Sequence, residues 1–247
     1  MTDTPSRSPG RAYLDLVQGL LASLARHEWA NVERAANVLA DALEAGREVH
    51  VFGTGHSHML AEELFYRAGG LVRIRPILFE GLMLHASAPL STSLERLPGL
   101  ADALLVDHPI ERGDVLIVAS NSGGNAVSSE LAGRARAAGA TVIAITSLQH
   151  ATSSAARANS ERRIHELADV VIDNGGCAGD AAVQIAGLDQ RVGPTSTVIG
   201  AAIVNAIVAE TVQRLVDRGI RPEVYTSSNL EGGDAANARF SRPVGPR

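Results

Sequence analysis

VLIVASNSGGN, residues 115–125, decides the fold of this chain. Its first five residues are apolar and predict a buried strand, and a helical pattern over residues 126–138 begins directly after the polar turn. Backbone N–H groups converge where such a turn opens a helix, and the positive end of the helix dipole adds to their attraction for an anion. Glycines let a ligand approach the backbone, while serine hydroxyls add hydrogen-bond donors. The turn therefore predicts a binding site for the phosphate of a small molecule.

The composition of the chain excludes several classes of function. A length of 247 residues is enough for one large domain with a full core. The net charge of −5 and the aromatic content of 3% argue against nucleic acid as a partner, because polyanions attract basic surfaces and bases stack on aromatic rings. A single cysteine, Cys177, allows no internal disulfide and is typical of a reducing compartment. No apolar stretch has the form of a signal peptide or the length of a membrane span, so we expect a cytoplasmic protein without membrane contact.

The pattern on both sides of residues 115–125 alternates between strands and helices. Such alternation predicts an α/β protein with a parallel sheet and helices on both faces. The predicted strands are residues 49–52, 72–79, 115–119, 141–145 and 170–172, and a long late helix is predicted for residues 196–216. The predicted parts of the chain are a disordered tail (1–10), an N-terminal helical segment of two helices or one broken helix (11–45), the α/β domain (46–217) and an extended or irregular C-terminal arm (218–247).

Two other loops have the same chemistry as SNSGGN, residues 120–125, which we call the second loop. The first loop, GTGHS at residues 53–57, follows the first strand and precedes a helix predicted to end near residue 68. The third loop, GPTST at residues 193–197, precedes the long late helix. In an open α/β sheet, ligands bind beyond the carboxyl ends of the strands. One such loop is often only a turn or a helix cap, but three at one edge favour a phosphate site.

Three other sequence motifs are missing. No glycine-rich loop ends in Gly-Lys-Ser or Gly-Lys-Thr, which argues against a P-loop nucleotide hydrolase. The first loop lacks the third glycine of the dinucleotide fingerprint, since His58 stands there. It also lacks the last glycine of a nucleophile elbow, since Met59 stands there. A small phosphorylated ligand remains the best prediction.

The order of these motifs resembles the sugar isomerase (SIS) phosphosugar-binding family over about residues 45–216. The resemblance implies a three-layer α-β-α, flavodoxin-like fold with a five-stranded parallel sheet, a sugar phosphate as ligand, and no cofactor. It also implies which residues bind the phosphate. Asn125 departs from the threonine or serine that is more usual at its position. The implied phosphate-binding residues are Ser57, Ser120, Asn121, Ser122, Gly124, Asn125, Thr195 and Ser196.

A narrower resemblance concerns the reaction. Residues 53–70, GTGHSHMLAEELFYRAGG, and residues 227–240, SSNLEGGDAANARF, resemble a stand-alone SIS subgroup related to an N-acetylglucosamine-6-phosphate dehydratase. This implies a lyase that removes the C2 proton and expels the C3 hydroxyl. An aldose–ketose isomerase, an ether-cleaving lyase like the N-acetylmuramic acid 6-phosphate etherase, and a non-catalytic phosphosugar sensor remain open. SIS proteins commonly pair, so the resemblance also implies a homodimer or homotetramer.

Acids and bases are needed beside the phosphate, and three side chains are candidates. Glu62 follows Ser57 within about one and a half helical turns, although a solvated surface charge is an equal interpretation. Glu80 follows the second strand at the ligand edge, where we favour a catalytic role. His85 is a candidate acid because histidine titrates near neutral pH. The i, i+4 spacing of His58 and Glu62 suits a cation, but no third ligand is evident, so we predict no metal site.

Overall fold

A parallel sheet forms the centre of the protein. The computed structural model describes residues 8–154 and 160–240. The sheet has five strands in the order β2-β1-β3-β4-β5, and every neighbouring pair is parallel. The strands are β1 Val49–Gly53, β2 Ile74–Pro76, β3 Val115–Ala119, β4 Thr141–Thr146 and β5 Val170–Asp173. With helices on both faces, this confirms the predicted α/β fold.

Every residue of β1 and β3 is buried, as expected for central strands of a parallel sheet covered on both faces. The second strand differs from its prediction, because it spans only Ile74–Pro76 instead of residues 72–79. Pro76 has no N–H group to donate and restricts the backbone, which suits it to a short edge strand. The chain then turns towards the ligand edge.

Helices cover both faces of the sheet. Helices α4 and α5, between β2 and β3, have no counterpart among the sequence predictions. The helices in chain order are α1 Pro9–Ser23, α2 Trp29–Glu44, α3 His58–Leu64, α4 Ala88–Leu94, α5 Leu100–Asp107, α6 Ala126–Ala138, α7 Leu148–Ala151, α8 Ile164–Leu167, α9 Ser196–Asp217 and α10 Gly233–Ala238. Helix α3 ends four residues before its predicted end, because Phe65 is extended and Tyr66 adopts a left-handed φ of 44°.

The N-terminal segment is one long helix with a π-helical turn, Leu24–Glu28, between α1 and α2. Its start corrects the predicted tail, because Pro9 and Gly10 are already helical. A proline fits the first helical turn, where its missing N–H group has no intrahelical partner to lose. Residues 1–7 of the predicted tail lie outside the described residues.

Helix α9 is the central helix of one face of the sheet. Ile199, Ile203 and Ile207 are fully buried in the core cluster that α9 forms with α2 and the sheet. By length and composition this helix could cross a membrane. The burial of these side chains instead gives it the character of a core helix.

The segment after α9 returns to the edge of the sheet. Val72 N donates to Glu223 O at 3.1 Å, and Tyr225 N donates to Gly70 O at 3.0 Å, so the arm covers the exposed side of the β2 region. The arm then forms α10, which corrects the prediction of a wholly extended or irregular arm. Residues 241–247 of the predicted arm lie outside the described residues.

Two further features lie at opposite ends of the strands. An antiparallel hairpin of β6 Ala181–Val183 and β7 Val192–Pro194 lies between β5 and α9 and was not predicted. At the amino ends of the strands, the buried Asp114 carboxylate lies 3.4 Å from His50 Nε2 and accepts from Glu48 N at 3.2 Å. Burial lowers the pKa of His50. This pair lies at the edge opposite to the three loops.

Candidate functional site

The first loop is a tight turn that folds back on itself. Gly53 is required there, because a Cβ atom at this position would lie 2.5 Å from the backbone of Ser57. Ser57 N donates to Thr54 O at 3.0 Å, and Thr54 Oγ1 donates to Glu95 Oε2 at 2.8 Å. The turn places Ser57 directly before α3, at the carboxyl end of β1.

The second loop is held in shape by its own serine and by the segment before α8. Ser120 is buried, and its Oγ accepts from Gly123 N at 3.1 Å. Gly123 has a φ of +67°, and a Cβ atom there would lie 3.2 Å from Ile164 Cγ1, so only glycine suits the position. Arg163 Nη1 donates to Ser122 O at 2.8 Å. The carbonyls of this loop therefore point to internal partners.

The N–H groups of the second loop are used differently. In the part of the chain that the structure describes, the backbone N–H groups of Ser122, Gly124 and Asn125 donate no hydrogen bond. The side chain of Asn125 occupies the N-cap position of α6 but makes no capping bond. Open donors at the start of a helix, where the helix dipole is positive, form a favourable place for an anion.

A segment that follows β5 completes this side of the site. Asn174 is buried and donates from Nδ2 to Asn121 Oδ1 at 2.9 Å. Ser147 Oγ donates to Gly176 O at 2.5 Å. No sequence signal predicts this bond between the two asparagines, because Asn121 and Asn174 are 53 residues apart.

The third loop already has an anionic partner. The Asp180 carboxylate accepts from Thr195 N at 3.1 Å, from Ser196 N at 2.9 Å and from Ser196 Oγ at 2.6 Å. Thr195 is buried, and its Oγ1 has no hydrogen-bond partner among the described residues. The donors predicted to bind phosphate at α9 are thus largely engaged within the protein.

The three loops meet in one cleft at the carboxyl ends of the strands. The cleft has an empty volume of about 270 Å³ and is open to solvent. Four of the predicted phosphate-binding residues line it, namely Ser57, Ser120, Asn121 and Ser196. The other lining residues are His56, Leu60, Ala119, Ile145, Asn174 and Thr197. Ser122, Gly124, Asn125 and Thr195 belong to the same loops but do not line it.

Of the candidate acids and bases, Glu62 and His85 lie in one cluster around His58. His58 Nε2 lies 3.7 Å from Glu62 Oε1, and the rings of His58 and His85 are 6.2 Å apart in an edge-to-face arrangement. His58 also contacts Gly55 O through Nδ1, which joins the cluster to the first loop. Glu62 is about half exposed, with 52% of its side chain accessible.

Glu80, the third candidate, makes no such contact among the described residues. It is exposed on a single 3-10 turn, Glu80–Leu82, and its side chain makes no hydrogen bond or ion pair with the described residues. Glu63 also faces away, because it pairs with Arg67 and accepts from Asn205 Nδ2 at 2.7 Å. The structure thus separates the three carboxylates, and Glu62 is the one in contact with a histidine of the first-loop region.

Glu95 is a carboxylate that sequence reasoning missed. Besides its bond to Thr54 in the first loop, its backbone carbonyl accepts from Val127 N at 3.2 Å in the first turn of α6. It is half-buried and bridges the first loop and the start of α6. No sequence signal identifies it, because Thr54 is 41 residues away.

The described residues contain no group of three or more histidine, cysteine, aspartate or glutamate side chains that could hold a metal ion. Within those residues, His58 and Glu62 remain a pair.

The sequence and the fold are both similar to those of known proteins. A family model described as SIS domain matches residues 12–147. A UPF0309 protein of Listeria monocytogenes is 44% identical over 225 residues, which cover 91% of each chain. Among solved structures, a phosphoheptose isomerase from Francisella tularensis is similar with a TM-score of 0.55 and 15% identity, covering 85% of this chain and all of that chain. The Vibrio vulnificus NanR protein complexed with ManNAc-6P has a TM-score of 0.50 and 14% identity, covering 87% of this chain and 66% of that one.

Proposed function

Because this chain belongs to the SIS domain family, we propose that it binds a sugar 6-phosphate in the cleft and removes the proton at C2 of the sugar. The observation that carries the proposal is the set of open N–H groups of Ser122, Gly124 and Asn125 at the start of α6. Ser57 and Ser120 line the adjoining cleft and can add hydroxyl donors. The NanR protein with bound ManNAc-6P supports an N-acetylated amino sugar as the substrate class.

The most specific form of the proposal is dehydration of N-acetylglucosamine 6-phosphate. In the open-chain form, the C1 aldehyde acidifies the proton at C2. A base takes that proton, the C2–C3 double bond forms, and the C3–O bond breaks as an acid protonates the leaving oxygen. The products are an unsaturated aldehyde and one water, so no oxidant, reductant or cofactor is required.

The cluster around His58 supports Glu62 as the base and His85 as the acid. Glu62 lies on α3, which starts at the first loop; the imidazole of His58 lies beside its carboxylate, and the ring of His85 packs against that of His58. Glu80 is the second candidate for the base because it follows β2 at the ligand edge. Glu80 is exposed and, like Glu62, is not among the residues that line the cleft.

Amine catalysis is unavailable to the side chains of this chain. None of its 247 residues is a lysine, so no side chain can form a Schiff base with the open-chain aldehyde. This favours direct proton abstraction by a carboxylate over a covalent route.

The alternative is an isomerase, which would use the same base and return the proton to C1. An ether-cleaving lyase would use the same base and expel a different C3 substituent. A phosphosugar sensor would bind the ligand and leave it unchanged. These candidates differ in the fate of the ligand and not in how the phosphate is bound.

Mass spectrometry of protein incubated with N-acetylglucosamine 6-phosphate tests the proposal. Loss of one water supports the dehydratase, an unchanged mass with a new isomer supports the isomerase, and binding without reaction leaves the sensor. Glu62→Gln should abolish turnover while the phosphosugar still binds. Glu63→Gln is the matched control, because Glu63 lies on the same helix but is paired with Arg67. If Glu80→Gln alone abolishes turnover, the base is Glu80; if neither variant does, the base assignment is wrong.

We also propose that the protein is a cytoplasmic homodimer or homotetramer. The N-terminal helices leave large apolar side chains exposed, namely Leu14, Leu16, Leu21 and Trp29. A second copy would cover such a surface. Light scattering coupled to size-exclusion chromatography measures the assembly directly, and a monomer at all concentrations would refute it.

A further inference from the structure

Asp180 occupies the start of α9 as an internal anion. Its Oδ1 accepts from Thr195 N and Ser196 N at 3.1 and 2.9 Å, and its Oδ2 accepts from Ser196 Oγ at 2.6 Å. Three donors surround one carboxylate at the positive end of a long helix, and in other proteins such a helix start binds a phosphate. The anion-binding capacity of the third loop is therefore used by the chain itself.

The backbone of Asp180 is in an unusual conformation that its neighbours hold. Its φ is +66°, a left-handed value that aspartate adopts more readily than most residues but still at a cost. Asp180 N donates to Cys177 O at 2.9 Å, and Gly179 N donates to His150 Nδ1 at 3.0 Å. Left-handed residues persist where surrounding contacts fix them, and here those contacts aim the carboxylate at α9.

The start of α9 has more donor capacity than Asp180 uses. Thr195 is 1% exposed, and its Oγ1 lacks a hydrogen-bond partner in the described parts of the chain. This buried hydroxyl lies near the segment of Gly176, where a Cβ atom would be 3.7 Å from it. A second polar group at the same helix start is thus available to an anion.

This internal anion lies beside the cleft. Ser196, which bonds both Asp180 oxygens through its N–H and hydroxyl groups, lines the cleft together with Thr197. Ser57 and Ser120 line the same cleft. Hydroxyl groups of the first and second loops therefore line the cleft, and on the side of the third loop a carboxylate lies behind Ser196.

We propose that Asp180 determines specificity by filling the anion position at the start of α9, so that the ligand's phosphate is confined to the first two loops. A ligand with a second anionic group directed at α9, such as a sugar bisphosphate or a phosphorylated sugar acid, is rejected. A ligand whose remaining groups are neutral hydroxyl or amide groups is accepted. The choice of substrate rests on the proposed function, whereas the occupation of the anion position does not.

The first experiment tests whether Asp180 occupies the anion position at the start of α9. Equilibrium dialysis measures the binding of inorganic phosphate to the full chain, with and without saturating N-acetylglucosamine 6-phosphate. Asp180→Gly empties the position and suits a positive φ. Asp180→Asn keeps the side-chain shape, tolerates a left-handed backbone and removes the charge. We expect Asp180→Gly to gain phosphate binding that the sugar phosphate does not displace, at least about tenfold tighter than any such binding to the unaltered chain, with Asp180→Asn in between.

The double variant Asp180→Gly/Ser196→Ala is the control for location and should lose the gain. The inference is overturned if the unaltered chain and both Asp180 variants bind phosphate equally and circular dichroism shows that all three are folded. It is also overturned by a second phosphate on the unaltered chain that Ser196→Ala removes, because Asp180 would then give way to the ligand. Failure of every variant, including the unaltered chain, to bind N-acetylglucosamine 6-phosphate refutes the proposed function alone, since the dialysis without the sugar phosphate still measures the gain of phosphate binding.

The second experiment tests the specificity role of Asp180. Calorimetry compares the affinities of the chain for N-acetylglucosamine 6-phosphate and for glucose 1,6-bisphosphate. The ratio of the two affinities should shift towards the bisphosphate by about tenfold in Asp180→Gly. An unchanged ratio overturns the specificity role.

Discussion

The second and third loops contain the same kinds of residue, yet the protein uses them differently. In both, a glycine- and hydroxyl-rich turn opens a long helix at the ligand edge. The N–H groups of Gly124 and Asn125 have no hydrogen-bond acceptor among the described residues, whereas those of Thr195 and Ser196 donate to Asp180. An anion needs open donors at a helix start, so we expect the phosphate at the second loop and not at the third.

This difference in donor use follows from the element that precedes each loop. The second loop comes directly from the central strand β3, and its carbonyls are held by Arg163 and Ser160. The third loop follows the hairpin β6–β7, whose first strand is immediately preceded by Asp180. Pairing of these strands brings the carboxylate back to the start of α9. A non-local strand pairing therefore decides which loop is filled.

The largest effect should come from removing hydroxyls of the second loop. Ser120→Ala/Ser122→Ala is expected to weaken N-acetylglucosamine 6-phosphate binding by about 100-fold, because hydrogen bonds to a charged group contribute roughly 1.5–3 kcal/mol each. Calorimetric titration measures the loss. Ser93→Ala is the control, since Ser93 is exposed on α4 and bonds only Pro89 O at 3.0 Å. Unchanged affinity in the double variant would mean that the hydroxyls of this loop do not bind the phosphate.

A smaller effect is expected from changing the shape of the second loop without removing a polar side chain. Gly123→Ala places a Cβ atom 3.2 Å from Ile164 at a φ of +67°. The strain should cost about 1–2 kcal/mol of unfolding free energy and weaken sugar phosphate binding about tenfold. Denaturant unfolding and calorimetry measure the two quantities.

Gly99→Ala is the matched control for that variant. Gly99 has a φ of +83° with no atom near its Cβ position, and it caps α5, outside the cleft. It should lose a similar amount of stability and keep its affinity. An equal loss of affinity in both variants would point to general destabilisation instead of a damaged phosphate site.

Much of the fold was predictable from local pattern. Consecutive apolar residues such as those of β3, and the abrupt change to Ser120 and Gly123, show both the buried strand and the turn that follows it. Features that depend on contacts with distant segments could not be predicted from local pattern. The length of β2 depends on Pro76 at an edge, and the hairpin β6–β7 is short and half-exposed, so neither has a strong apolar period.

The candidate site was predictable to the extent that its residues belong to loops with a sequence signature. Ser57, Ser120 and Asn121 are brought to one cleft because parallel strands end at one edge, whereas Ser196 reaches the same cleft from the hairpin β6–β7. Glu95 was not found, and the bonds of Asp180 to Ser196 were not predicted, since each carboxylate acts through a partner in another segment. The roles of the predicted catalytic side chains stay predictions, and contact with His58 distinguishes Glu62 from Glu80.

The smallest effect on binding is expected from Ser196→Ala in the third loop, although Ser196 lines the same cleft as Ser120. Its hydroxyl donates to the Asp180 carboxylate at 2.6 Å, so its removal should lower the unfolding free energy by roughly 1.5–3 kcal/mol. Sugar phosphate affinity should change by less than about threefold, because the donor lost was serving the protein and not the ligand. Denaturant unfolding and calorimetry on the same preparation measure both effects. A loss of affinity comparable to that of Ser120→Ala/Ser122→Ala would show that Asp180 leaves α9 when the ligand binds, and that the two loops act alike.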